Sequence, residues 1–110
     1  IVSSIDIYPT LMELCNISVP QGLDGHSFAK LLNNPKDKKW TDAAYSYYRN
    51  CMTLRTPEYR FTRYNKKGET VTELYQYGPD RIERKNIAQE NPDIVKKLLP
   101  LWEKGVKFDY

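Results

Sequence analysis

From Ile7 to Cys15 apolar side chains recur at the spacing of one helical face, and Leu11, Met12, Leu14 and Cys15 share it. Asp6 stands where a cap belongs and Pro9 falls in the first turn, so the pattern predicts a helix over 6–15. The stretch Val19 to Gly25 holds two Gly and a Pro. It reads as turns, with Asp24 bonding its own backbone and Gly25 taking a positive φ. Phe28, Leu31 and Leu32 then recur at i, i+3, i+4, which predicts a short helix over 27–33. After a loop without apolar residues at 33–39, aromatic and β-branched residues alternate with polar ones. This texture predicts strands at 43–49, 52–56, 59–64 and 71–77, with Asn65-Lys66-Lys67-Gly68 turning the last hairpin. In the third strand Tyr59 and Phe61 fall on one face, expected to pack. Arg60 and Thr62 fall on the other, expected to meet solvent or another surface. Asn91-Pro92-Asp93 supplies a cap, a proline at the first helical position and an early acid. Ile94, Leu98, Leu101 and Trp102 form the stripe of the helix that follows, and Pro100 predicts a kink or break in it.

The fold class expected from these elements is α+β, a small antiparallel sheet of about four strands with a C-terminal helix, preceded by N-terminal helices. With 110 residues and 40% apolar content the chain can bury a modest core, and its 14 aromatic residues argue against disorder. Two Cys and one His cannot assemble a four-ligand zinc site. No apolar run approaches the roughly 20 residues of a bilayer crossing, and the chain opens on Ile-Val-Ser-Ser rather than on Met, which reads as a fragment.

The formal charge is +3, with −2 in residues 1–35 and +5 in the remainder. Arg49, Arg55, Arg60 and Arg63 are interleaved with Tyr45, Tyr47, Tyr48, Tyr59 and Tyr64, a composition suited to anionic groups and flat rings. A basic-aromatic module for anionic polymers, sulfated glycan or nucleic acid, is therefore the alternative functional reading. The low net charge and the lack of RNA-platform motifs weigh against nucleic acid. Asp6, Asp24 and His26 sit in separate turn and cap contexts, and no metal ligand or catalytic residue is assigned. His26 follows a tight turn and Arg49 ends an aromatic strand, which makes these two the candidate substrate-binding residues.

Four stretches carry a resemblance. They are Ser4-Ile5-Asp6-Ile7-Tyr8-Pro9-Thr10-Leu11-Met12-Glu13-Leu14-Cys15, Gly22-Leu23-Asp24-Gly25-His26-Ser27-Phe28, Leu54-Arg55-Thr56-Pro57-Glu58-Tyr59-Arg60-Phe61-Thr62, and Glu73-Leu74-Tyr75 running to Asn86-Ile87-Ala88. Their order resembles the C-terminal part of a sulfatase, in the iduronate-2-sulfatase-like branch. The resemblance implies a sulfuric ester hydrolase acting on sulfated carbohydrate. Its calcium and its formylglycine, made in a C-x-P/A-x-R motif, belong to residues upstream of this chain. Cys51-Met52-Thr53-Leu54-Arg55 reproduces the Cys and Arg spacing but has Thr53 where Pro or Ala is required, so it is read as a decoy. The resemblance further assigns 1–35 to the edge of the α/β catalytic domain and 36–110 to a C-terminal subdomain. It implies the remaining catalytic domain as partner, no nucleic acid or membrane partner, self-association and inactivity of the chain alone, and export of the whole protein.

Overall fold

A computed structural model describes residues 1–105, and contacts divide the chain into two units, Ile1–Asp42 and Ala43–Tyr110. In the first, a single 3-10 turn at Ser4–Asp6 runs into helix α1, Ile7–Leu14. The helix stops where Asn16 takes a left-handed φ of 55°. Asn16 N–H then reaches Glu13 O at 3.1 Å and Ile17 N–H reaches Met12 O at 2.9 Å, so two terminal carbonyls are satisfied without a glycine. Helix α2, Ala29–Asn33, follows the turns. Thr10 ties the pieces together, its hydroxyl donating to Asp6 O at 2.6 Å and accepting from Phe28 N–H at 3.0 Å.

The second unit is a meander of four strands, β1 (Ala44–Tyr48), β2 (Cys51–Arg55), β3 (Tyr59–Lys66) and β4 (Glu69–Gln76), antiparallel and in the order β1-β2-β3-β4. Helix α3, Pro92–Glu103, lies on one face of it. The register pairs Leu54 with Phe61 and Phe61 with Leu74, so three side chains from three strands stack in one row, each completely buried. Ala88, Leu98 and the half-buried Ile94, Val95 and Trp102 close over that row. The outer edge of β4 is covered rather than left as a template for another chain. Asn86 Oδ1 accepts from Leu74 N–H at 3.0 Å, and Ile87 N–H donates to Leu74 O at 2.8 Å. The α+β architecture expected from the sequence is the one observed.

Four local expectations are corrected. Gly25 does not take a positive φ, which falls instead on Gly22 at 82°. Gly25 is needed for a close approach, since a Cβ there would lie 2.0 Å from Ile5 O. Helix α3 does not break at Pro100. The turn that Pro100 weakens is anchored from outside, with Tyr45 Oη donating to Leu101 O at 2.8 Å and Trp102 Nε1 donating to Met52 O at 2.9 Å. Burial, with a smaller contribution from Tyr47, pushes the Tyr45 phenol pKa up and favours this neutral donor. Asn91 does not cap α3 through its side chain, which donates to Ile87 O at 3.1 Å instead. Finally, Thr62 is buried although it lies opposite Phe61, because Arg60 Nη1 folds over it at 3.0 Å and Thr53 meets it hydroxyl to hydroxyl at 2.9 Å.

Candidate functional site

The conformation of the turn at 22–28 depends on Asp6. Its carboxylate is buried and accepts two backbone N–H groups, Ser3 at 2.7 Å on Oδ2 and His26 at 2.9 Å on Oδ1. A buried carboxylate is tolerable only with such donors. The donor at His26 is delivered by the close approach of Gly25 to the Ile5–Asp6 peptide. His26 is consequently fixed through its backbone while its residue surface stays exposed. Sequence reasoning placed Asp6 as a helix cap and missed this longer-range bond, for which a 20-residue separation offers no spacing signal.

In the second unit, the sheet face opposite α3 carries a network of unlike charges. Arg60 grips Glu83 with its fork, Nε to Oε1 at 2.7 Å and Nη2 to Oε2 at 2.7 Å, and lies 3.9 Å from Glu73. Its guanidinium sits 4.6 Å from the centre of the Tyr75 ring. Arg55 stacks 3.7 Å from the Tyr77 ring centre and hydrogen-bonds the Tyr77 hydroxyl, which donates to Glu83 Oε1 at 2.8 Å. The Arg60 hydrogen bond holds the Glu83 carboxyl below the usual carboxylate range, against the opposing effect of burial. Burial pushes the Tyr77 phenol up, and its bond to Glu83 adds to this. The fork of Arg60 is therefore already engaged by carboxylate, which removes it as a ready grip for sulfate or phosphate.

Arg49 is placed differently. It lies in the β1–β2 turn with a left-handed φ of 54°, exposed, with its guanidinium 5.3 Å from the centre of the Tyr48 ring. The antiparallel register brings the β3–β4 turn to the same end of the sheet, and Asn50 Nδ2 donates to Asn65 O at 2.6 Å between the two turns. Lys66 ends β3, paired in register with Glu69, and Lys67 follows in the second turn with a left-handed φ of 55°, where Asn65 Oδ1 accepts from Gly68 N–H at 2.9 Å. Among the described residues none of Arg49, Lys66 and Lys67 is in an ion pair. The sequence singled out Arg49 but not the two lysines, because only the sheet register joins the turns. His26 and Arg49 thus belong to different units.

Among the described residues no three His, Cys, Asp or Glu side chains cluster as a metal site. Cys51 is a half-buried strand residue with a free thiol, paired across the sheet with Tyr48 and Tyr64, and Cys15 is a free, exposed thiol. No helix among the described residues is long and apolar enough to cross a membrane.

Residues 1–104 match the family described as N-sulphoglucosamine sulphohydrolase, C-terminal. The chain is 29% identical to arylsulfatase K of Mus musculus, over 89% of this chain and 20% of that protein. It is 35% identical to a delta 4,5-hexuronate-2-O-sulfatase of Bacteroides thetaiotaomicron, over 79% of this chain and 19% of that one. A solved 2-O GAG sulfatase is similar in structure with a TM-score of 0.69 and 31% identity, over 90% of this chain and 23% of its own. The chain thus spans about a fifth of the length of the curated relatives it matches.

Proposed function

Because the chain belongs to the sulfatase C-terminal family, we propose that it is the closing part of a sulfuric ester hydrolase acting on sulfated carbohydrate, and that it supports the active-site cleft without contributing the reacting groups. On this reading residues 1–35 are the edge of the catalytic domain and residues 36–110 its C-terminal subdomain. The nucleophile and the calcium ion belong to the part of the polypeptide that this chain does not contain. The observation that carries the reading is the surface of the first unit. Ile7, Leu11 and Leu14 follow one another along a single face of α1 and are each about half exposed, at 49%, 56% and 53%. Ile5, Tyr8, Ile17 and Leu32 are exposed as well. A continuous apolar stripe of this kind marks a surface shaped for a partner, and the share of the relatives' length outside the matched region supplies one.

The test joins the chain to the preceding residues encoded by its own gene and measures aryl sulfate hydrolysis. The expected result is turnover by the joined protein, none by the 110-residue chain alone, and loss of soluble, active assembly on Leu11→Glu with Leu14→Glu. Turnover by the chain alone, or an unaffected double variant, overturns the proposal. Alone, the chain is expected to self-associate through the same stripe, and the double variant to be monomeric.

A further inference from the structure

Two turns of the sheet end side by side, and each places a cation at a backbone position that disfavours it. Arg49 and Lys67 both occupy the left-handed region, where Gly or Asn fits at lower cost. Such strain in a side chain that makes no ion pair, found twice at one end of one sheet, is the kind of outlier that points to a use for the side chain. Both turns are braced by asparagine side chains, Asn50 to Asn65 O at 2.6 Å and Asn65 to Gly68 N–H at 2.9 Å. The charges are therefore displayed on a stiff support rather than on a loop free to collapse.

Next to them stands Tyr48, whose residue is 70% exposed, the largest exposure among the large apolar and aromatic side chains of the described residues. An exposed ring beside Arg49, with Lys66 and Lys67 at the neighbouring turn and Glu69 as the one carboxylate at the two turns, offers a flat face and three cations. Arg81, after β4, is also left-handed at a φ of 54°, but among the described residues no ring stacks with it, and Arg60 and Arg84 near it are already paired with Glu83 and Asp80.

We propose that the paired turns at Tyr48-Arg49-Asn50 and Lys66-Lys67 form a binding site for a sulfated glycan chain. A sugar face lies on Tyr48, Arg49 takes one sulfate or carboxylate through its fork, and the two lysines meet further anionic groups. The choice of glycan as the polyanion rests on the sulfatase reading. The binding itself does not, since it requires only the second unit's sheet.

The 110-residue chain is titrated with heparin at several salt concentrations. Arg49→Asn with Lys67→Gly relaxes both turns and removes two charges. Its affinity is expected to fall on the order of tenfold, with the slope of log K against log salt shallower by about two. Tyr48→Ser should weaken binding by about threefold with the slope unchanged. Lys96→Ala with Lys97→Ala removes the same charge from the exposed side of α3 and should stay within about twofold of the parent. The proposal is overturned if the α3 variant loses as much as the turn variant, if the parent does not bind heparin, or if duplex DNA binds as tightly with the same dependence on these residues. A melting temperature in the turn variant equal to or above the parent's, as relief of the two left-handed positions implies, shows that binding, not folding, was lost. A failure here beside an active joined enzyme would place the glycan elsewhere and leave the sulfatase reading intact.

Discussion

Phe61 and Trp102 meet edge to face, with ring centres 6.4 Å apart and planes at 81°, but they do not carry equal weight in the second unit. The sequence singles out Trp102, the largest side chain on the α3 stripe, and its loss would cost about 3–5 kcal/mol if it were fully buried. In the structure Phe61 is the fully buried member, packed in the row between Leu54 and Leu74, whereas Trp102 is only half-buried and borders Arg63 at 5.3 Å. Phe61→Ala should therefore cost about 4 kcal/mol, because the cavity opens in the middle of three strands that cannot collapse into it without shifting register. Trp102→Ala loses most but not all of a full aromatic burial, at a site solvent can partly refill, plus one hydrogen bond to Met52 O, about 2–3 kcal/mol together. A unit of this size has a total stability of about 3–10 kcal/mol, so Phe61→Ala stands near the threshold of folding. Phe61→Leu, expected to cost about 1.5 kcal/mol, keeps the comparison measurable. Urea unfolding followed by far-ultraviolet circular dichroism gives the order. If Trp102→Ala proves more damaging than Phe61→Ala, or Phe61→Leu costs nothing, the row of Leu54, Phe61 and Leu74 is not the centre of this core and the reasoning fails.

Gly25→Ala would set a methyl 2.0 Å from Ile5 O, so the turn must move away and the bond from His26 N–H to Asp6 is lost. The backbone amide of His26, which donates to Asp6 in the parent, should exchange with deuterium at least tenfold faster in the variant, and equal rates would contradict the latch. Glu83 contributes through its carboxylate, whose pKa is depressed by the Arg60 hydrogen bond. A depressed folded pKa means that its stabilisation is present above the unfolded value, near 4.3, and is lost as pH falls through the folded one. Glu83→Gln should therefore flatten the decline in melting temperature between about pH 5 and pH 3, and an unaltered pH profile would show that the Arg60 fork contributes nothing to stability.

Much of the fold was legible because it is written in short-range periodicity. The alternation in β3, the Asn65-to-Gly68 turn and the Asn91-Pro92 helix start all act within a few residues, and the observed elements follow them closely. What was not legible depends on partners far along the chain. Pro100 reads as a breaker until Tyr45 and Met52 are seen holding the turns around it, across 56 and 50 residues. Thr62 reads as a surface residue until Arg60 is drawn over it by Glu83, 23 residues away. Arg49 could be singled out, but its joining with Lys66 and Lys67 needs the register of two hairpins, which local patterning does not specify.

The two units also differ in how they use the same apolar alphabet, and the difference bears on what the molecule is for. The second unit places Leu54, Phe61 and Leu74 inside and its charged network outside, as a segment with its own core does. The first unit does the reverse. Its buried positions are Asp6, Pro9, Thr10 and Ala29, a carboxylate and a hydroxyl among them, while Ile5, Ile7, Leu11, Leu14, Ile17 and Leu32 lie outside. With Val2, Tyr8, Val19 and Leu23 these make ten exposed side chains, each of which would gain about 1 kcal/mol on being covered, on the order of 10 kcal/mol together, as much as a whole domain's net stability. An arrangement that holds polar atoms precisely within and leaves that much apolar surface without is unfavourable for a short segment in water and favourable for one seated on a larger body. The apolar outside of α1 and its turns is therefore the feature that the proposed seat on a sulfatase catalytic domain would stabilise.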